Sequence, residues 1–449
     1  MGIFNKKKDD DLVKSSILQS QVDHSGALKE VIQIMANDGV NICAEACACC
    51  WDTKIPQKYA ERAEYIAKRT RIGHGSVTEH SNHVFYMEVP NEEIEHLAET
   101  LAAAKYVHTV YRASKKYNKG YLIIGGSWRA YRDLLLRIEN IETNPIMVRL
   151  MSMIYKTISS AGMADMIKKE KIENNFEDSD SGNSVMYAKA THVELPNLEI
   201  INIDDLDVLL SNIRGICPEP ELFTVYDLLD MCTVTILFKN MSRIITQQLT
   251  RHRNAITQES QRYVDYSGGC FNSPAMFKPE KYDPNYKYSI QFGTSTQKMT
   301  LQELGDNLCK IYGQLTDKDK TQGHELLKED ARAYLPNNVR CNKIYITMTW
   351  RNLFSFLILR EDKAAQAEIR GYATNIGSWF RELYPNYVGF EHFIDGYRGE
   401  GGQFFVPLND IAVSVDEVIS EEEIVTQMEQ YAAKSVEGEP FQPTEKSDA

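Results

Sequence analysis

Apolar positions recur at three- and four-residue spacing over 25–36 (SGALKEVIQIMA), 57–71 and 92–113 (EEIEHLAETLAAAKYVHTVYRA), which predicts three helices. HVFYMEVP at 83–90, TVTILFKN at 233–240 and KIYITMTW at 343–350 are dense in β-branched and aromatic residues and read as strands, the first stopped by Pro90. RIGHGSVTEH at 71–80 reads as a loop leading into a short helix. Residues 119–139 read as strand, Gly-Gly turn and helix, and 199–214 as strand then helix. MSRIITQQLTRHR at 241–253 has helical spacing, with Ile244, Ile245 and Leu249 on one side. Residues 263–300, rich in Tyr, Gly and Pro, read as irregular, and 351–383 as one long helical region. The stretch 168–184 has almost no apolar residues and predicts a loop or linker, and the polar end from Gly438 predicts disorder.

Two pieces look alike. GYLIIGGSWRAYRDLLLR (120–137) resembles KIYITMTWRNLFSFLILR (343–360), each a strand, then Trp-Arg, then a leucine-rich helix. HVFYMEVPN (83–91) weakly resembles TVTILFKNM (233–241), and the order is the same in both parts. The expectation is an α+β chain, a sheet flanked by long helices, internally duplicated. Its parts would be a flexible N-terminus 1–15, a first half 16–145, an insertion or linker 146–226, a second half 227–400, and an acidic helix with a disordered tail 401–449.

The length, 449 residues, suits such a division, and 43% apolar content is ordinary for a globular protein. The net charge of −13 argues against binding a nucleic-acid polymer or an anionic membrane, while leaving an anionic small ligand open. The nine cysteines are odd in number and show no disulfide spacing, which points to a reducing, cytoplasmic setting. The cluster Cys43, Cys47, Cys49 and Cys50 reads as a small-residue element packed in a core.

Against the acidic background, the stretch from Arg243 to Arg262 holds four Arg and one Glu. Spacings of three and four place Gln247, Gln248 and Arg251 on one helical face, followed by His252 and Arg253 and, after a polar loop, by Ser260, Gln261 and Arg262. Arginine's planar fork suits phosphate and pyrimidine carbonyls, although a solvated basic helix end would read the same way. Arg360 falls about half a helical rotation from Arg351 and so among Leu353, Phe356 and Leu357, with Arg351 and Ser355 on the opposite, polar side. A guanidinium on an apolar face needs a carboxylate or ligand partner, unless it snorkels to water from the helix end. In GHGSVTEH, Ser76 and Glu79 have capping-box spacing, and the histidines lack metalloprotease spacing, so no metal is expected.

Together these segments resemble the flavin-dependent thymidylate synthases. RHRNAITQESQRY (251–263) is similar to that family's Arg-His-Arg signature ending in Ser-x-Arg-Tyr, and GHGSVTEH (73–80) to its His-x-Ser/Thr-x-x-Glu-His segment. EDARAYLP (329–336) and LREDKAAQAEIR (359–370) resemble its third and fourth blocks. The resemblance implies that Gln248, Arg251, Gln258 or Glu259, Ser260, Gln261, Arg262, Arg332 and Arg360 bind dUMP, with Arg360, Ser260 and Arg262 at the reacting ring. It implies that Ser76, Glu79, Arg251, His252, Arg253, Arg351 and Ser355 hold FAD. It further implies reductive methylation of dUMP to dTMP, with methylenetetrahydrofolate as carbon donor and NADPH as reductant through FAD. Arg360 would polarise the uracil, and Ser260 would bind without covalent attack. A homo-oligomer is implied, a dimer imitating the family's tetramer or a tetramer. Six residues stand between Arg253 and Ser260 where the family has seven, and Thr349 and Ala364 stand where it has Asn and His. These departures keep two alternatives in view, a different modification at pyrimidine C5 such as hydroxymethylation, and a non-catalytic nucleotide-binding relative.

Overall fold

The computed structural model describes residues 31–102, 104–137, 145–160, 192–252, 254–269, 282–316 and 323–387. The expectations for 1–15, for 168–184 and for the tail from 401 lie outside the described residues. The N-terminal elements are β1 (Ile32–Ala36), α1 (Gly39–Trp51), α2 (Tyr59–Arg71), β2 (His83–Pro90), α3 (Ile94–Ala102), β3 (Val107–Ser114), β4 (Lys119–Gly126), α4 (Trp128–Arg137) and α5 (Pro145–Ser160). A 3-10 turn, Gly75–His80, precedes β2. Then come β5 (Val193–Leu195), β6 (Leu198–Ile203), α6 (Leu206–Ile216), α7 (Val225–Leu228), β7 (Thr233–Ser242), α8 (Arg243–Leu249) and β8 (Ala255–Gln258). The chain continues through β9 (Tyr288–Phe292), β10 (Ser295–Met299), α9 (Leu301–Leu315), α10 (Lys328–Ala331), β11 (Arg340–Thr349), α11 (Trp350–Glu361) and α12 (Ala367–Leu383). The α+β class is as expected.

Four expectations change. Residues 32–36 are a strand: Gln33, Ile34 and Met35 are all buried, so both faces are covered and strand alternation disappears from the sequence. The helix read over 92–113 stops at Ala102, and β3 follows a turn in which Tyr106 takes a left-handed φ of 68°. The long helix over 351–383 is two, parted where Asp362 turns back to accept the backbone N–H of Ala364 at 2.6 Å. Part of 263–300 is the hairpin β9–β10, turned at Gly293 with φ 58°.

The strands form an antiparallel sheet ordered β1-β2-β4-β3 and a second ordered β5-β6-β7-β11-β8. The four strands β1-β2-β4-β3 of the first are matched by β6-β7-β11-β8 of the second, which adds β5 at its edge. β2 pairs β4 and β7 pairs β11 along their lengths, and a helix opening on Trp-Arg follows β4 as it follows β11. The irregularity between Gln33 and Met35 in β1 recurs between Ile200 and Asn202 in β6. After it, Asn37 N–H donates to the Asn82 carbonyl at 3.0 Å, and Asp204 N–H donates to that of Thr233 at 2.8 Å. Asp38 and Asp205 then cap α1 and α6. The second unit thus begins at β6, so 146–226 is more than a linker: it holds α5, β5, β6, α6 and α7, whose apolar faces are core.

The halves exchange helices. α1 lies against β8 and β11 of the second sheet, while its counterpart α6 lies against β1 of the first, where Asn212 Nδ2 donates to the Ile34 carbonyl at 2.7 Å. The two turns also meet between the halves, Asn82 Nδ2 donating to Asp204 at 2.8 Å. One core joins Val84, Tyr86 and Tyr121 to the α6, α11 and α12 side chains, and another joins α1, α3, α4 and α5 to Tyr345.

Candidate active site between the two halves

The helix exchange brings the end of α1 and the Gly75–His80 turn against β8. Ser260 N–H donates to the Cys50 carbonyl at 3.2 Å, and the Cys49 thiol lies 3.7 Å from the Thr257 carbonyl. His80 is the bolt. Its ring nitrogens hydrogen-bond Thr347 and Thr257, each at 2.9 Å, and burial pushes its pKa down to about 3, so the ring is neutral.

A cavity of about 250 Å³ opens at this seam. Trp51, His74 and Ser76 line it from the first half, and Arg243, residues 258–261 and Arg332 from the second. His74 stands edge-on to Trp51 with ring centroids 4.5 Å apart, and Arg69 lies 4.7 Å over the Trp51 ring. Arg243 Nη1 and Gln258 Oε1 are buried without hydrogen-bond partners among the described residues. A stranded buried polar atom costs about 1–3 kcal/mol, so a donor and an acceptor left unmet in two residues that line the cavity favour a polar ligand there.

The remaining predicted nucleotide residues gather elsewhere, where the end of α8 meets α11. Arg360 Nε donates to His252 Nε2 at 2.9 Å, its Nη2 reaches the Gln248 carbonyl at 3.4 Å, and Gln248 Nε2 donates to Gln366 at 3.0 Å. Burial, then the Arg360 charge, holds His252 at about 4, so it accepts as a neutral ring. Arg360 is half-buried and has no carboxylate partner among the described residues; burial and nearby Arg251 lower its pKa. Among the described residues no carboxylate opposes the positive charge at this spot. None of Gln248, Arg251, His252 and Arg360 is among the residues that line the cavity.

Other expected residues are placed differently. Arg262 is exposed and paired with Glu329 at 2.7 Å, away from the cavity lining. Arg351, expected to hold the cofactor, is held by Asp230 at 2.6 Å and by the Tyr226 carbonyl at 2.9 Å. Ser355 is half-exposed on α11, and Arg253 lies outside the described residues. Glu79 pairs with Arg129 at 2.6 Å; burial raises its pKa, while Arg129 pulls it down. Arg243 and His74 belong to the basic stretch and the GHGSVTEH segment singled out from sequence but were not among the expected ligand contacts, and Trp51 and Arg129 had no expected role. The Trp-Arg repeat was the one signal that could have found Arg129.

Among the described residues no helix is long and apolar enough to cross a membrane, and no group of three or more His, Cys, Asp or Glu could hold a metal ion. Residues 224–386 match the family model described as thymidylate synthase complementing protein. A flavin-dependent thymidylate synthase of Thermococcus kodakarensis is 36% identical over 147 residues, which is 32% of this chain and 53% of the relative. One from Pyrococcus abyssi is 32% identical over 39% of this chain and 63% of the relative. The chain thus spans about half to two thirds of the length of these relatives. A crystal structure of thymidylate synthase X from Helicobacter pylori with FAD and dUMP is 14% identical, covering 43% of this chain and 98% of that one at a TM-score of 0.31.

Proposed function

We propose that this chain, a member of the flavin-dependent thymidylate synthase family through residues 224–386, methylates dUMP reductively to dTMP. The carbon would come from methylenetetrahydrofolate and the reducing equivalents from NADPH through FAD. The observation that carries the reading is the seam cavity, where Arg243 and Gln258 keep an unmet donor and acceptor beside Ser260, Gln261 and Arg332. A nucleotide offers phosphate oxygens and ring carbonyls to the first and ring N–H to the second.

The residues present suit a flavin. Ser76, the Glu79–Arg129 pair and the cationic Arg251–His252 turn offer a hydroxyl, a carboxylate and guanidinium groups for an anionic, hydroxyl-rich cofactor. When bound, the flavin supplies two-electron reduction. The protein's own part is positional and electrostatic. Ser260, its amide fixed by Cys50, orients the nucleotide with Gln261 and Arg332. Arg360, aimed by neutral His252, polarises the pyrimidine carbonyl as negative charge develops there. Since the Arg360 group does not line the cavity of its own chain, we assign the complete site to a homodimer, the Arg360 group of one copy facing the cavity of the other.

The test is direct. The purified chain should carry or take up FAD, bleach with NADPH, and form dTMP from dUMP and methylenetetrahydrofolate. A chain that binds no flavin overturns the reading, and a product other than dTMP replaces the reaction.

A further inference from the structure

The repeat changes which arginine belongs to the flavin site, and this step rests on the flavin reading above. The strand registers put the turn before β2 opposite the turn before β7, so Glu79 corresponds to Asp230 and Arg129 to Arg351. Both ion pairs close at 2.6 Å. Each half has therefore built the same pair, between the turn that enters its central strand and the first turn of the helix after the neighbouring strand.

Their surroundings differ. Where the first half has Gly75, the second has Tyr226, whose ring lies 3.9 Å from the Arg351 guanidinium and whose carbonyl accepts from it. Where the first half has Ser76, the second has Asp227, a carboxylate that caps α7 and takes Arg112. An aromatic ring fills the approach and an acid repels an incoming anion. Arg351 is 15% exposed and Arg129 37%. The first-half turn is the open one: Ser76 lines the cavity, and the same turn packs against α4 next to Arg129. The Thr349 departure fits as well. Thr349 hydrogen-bonds Asp230 at 3.0 Å inside the closed copy, and its first-half counterpart is Ser127.

We propose that Arg129, positioned by its ion pair with Glu79 and joined by the Ser76 hydroxyl, holds the anionic diphosphate of the flavin, that Arg351 is its closed counterpart, and that each chain binds one flavin instead of two.

FAD titration of the full-length chain, followed by flavin fluorescence and absorbance and paired with thermal melts, tests this without turnover. The wild type should saturate at one FAD per chain. Arg129→Met should weaken FAD binding about tenfold or more, since it removes a charge-assisted contact, and Arg129→Lys, which keeps the charge beside Glu79, should restore most of that loss. Arg351→Met should keep FAD affinity within about twofold, even where its melting temperature falls. Two FAD per chain, or an Arg129→Met chain that binds like the wild type, overturns the assignment. The stoichiometry decides the matter independently if Arg351→Met does not fold. A wild type that binds no FAD overturns the flavin reading itself, a result distinct from normal wild-type binding with an unaffected Arg129→Met.

Discussion

Single side chains carry two opposite electrostatic tasks here. His80 is kept neutral, and Arg360 is kept charged where, among the described residues, no carboxylate answers it. The native pKa of His80, about 3, lies below its ordinary 6.5, so between those values the unfolded chain takes up a proton that the native ring refuses. Its stabilising contribution is whole above about pH 6.5 and drains away as pH falls, at about 1.4 kcal/mol per pH unit. His83, also buried with a pKa of about 3, adds the same slope. His80→Gln should therefore lose stability less steeply than the wild type between pH 6.5 and 5. Denaturant unfolding across that range checks it, and parallel slopes would refute it. Arg360→Met should lower kcat about 10²–10³-fold with the melting temperature preserved, the cost of removing one charge-stabilising donor. It should also raise the His252 pKa from about 4 but leave it below 6.5, because burial outranks the Arg360 charge as the cause. NMR titration of the ring reads both directions. The sequence foretold that Arg360 needed a partner; it could not foretell that the partner within the chain would be a neutral imidazole, since His252 meets α11 only through the fold.

Elements were legible where their own pattern decides them. The strand and Trp-Arg helix at β4–α4 and β11–α11 each read correctly, because β-branched runs end abruptly in leucine-rich helical spacing. β1 did not, since a strand covered on both faces loses its alternation, and the α3–β3 break hangs on one left-handed residue, Tyr106. The repeat was glimpsed in two segments, whereas its firmest marks, matching registers, bulges and caps, involve backbone pairing that residue identity does not record. Packing between elements is equally invisible in sequence. Gly39, the first residue of α1, lies so close to α4 that a Cβ would sit 2.8 Å from the Trp128 ring and 2.9 Å from Ser81 Cβ. Trp128 is buried and cannot swing away, so Gly39→Ala overpacks the joint and should cost about 1–3 kcal/mol by denaturant unfolding. Arg129 is the next residue on α4, so the same change should also weaken flavin uptake. A stable variant with normal uptake would show that the joint yields.

At the scale of the molecule, the duplication turns the question of assembly into one about complementary defects. Exchange of α1 and α6 joins the halves so that one chain holds a complete seam cavity, yet the Arg360 group stays outside its lining. If two chains complete each other, damage to the two groups can be separated. A chain with Arg360→Ala keeps its cavity, and a chain with Arg332→Ala keeps its Arg360 group. Each alone should be nearly inactive, for every site in either dimer lacks one part. Mixed and allowed to exchange, half the dimers are hybrid, and each hybrid has one site assembled from intact parts and one that is doubly damaged. Activity should then return to about a quarter of the wild type, provided subunits exchange freely. Two chains should also be the solution mass, measured by light scattering. Failure to recover activity after verified exchange would mean that each chain closes its own site, with Arg360 reaching the cavity by a movement within the chain.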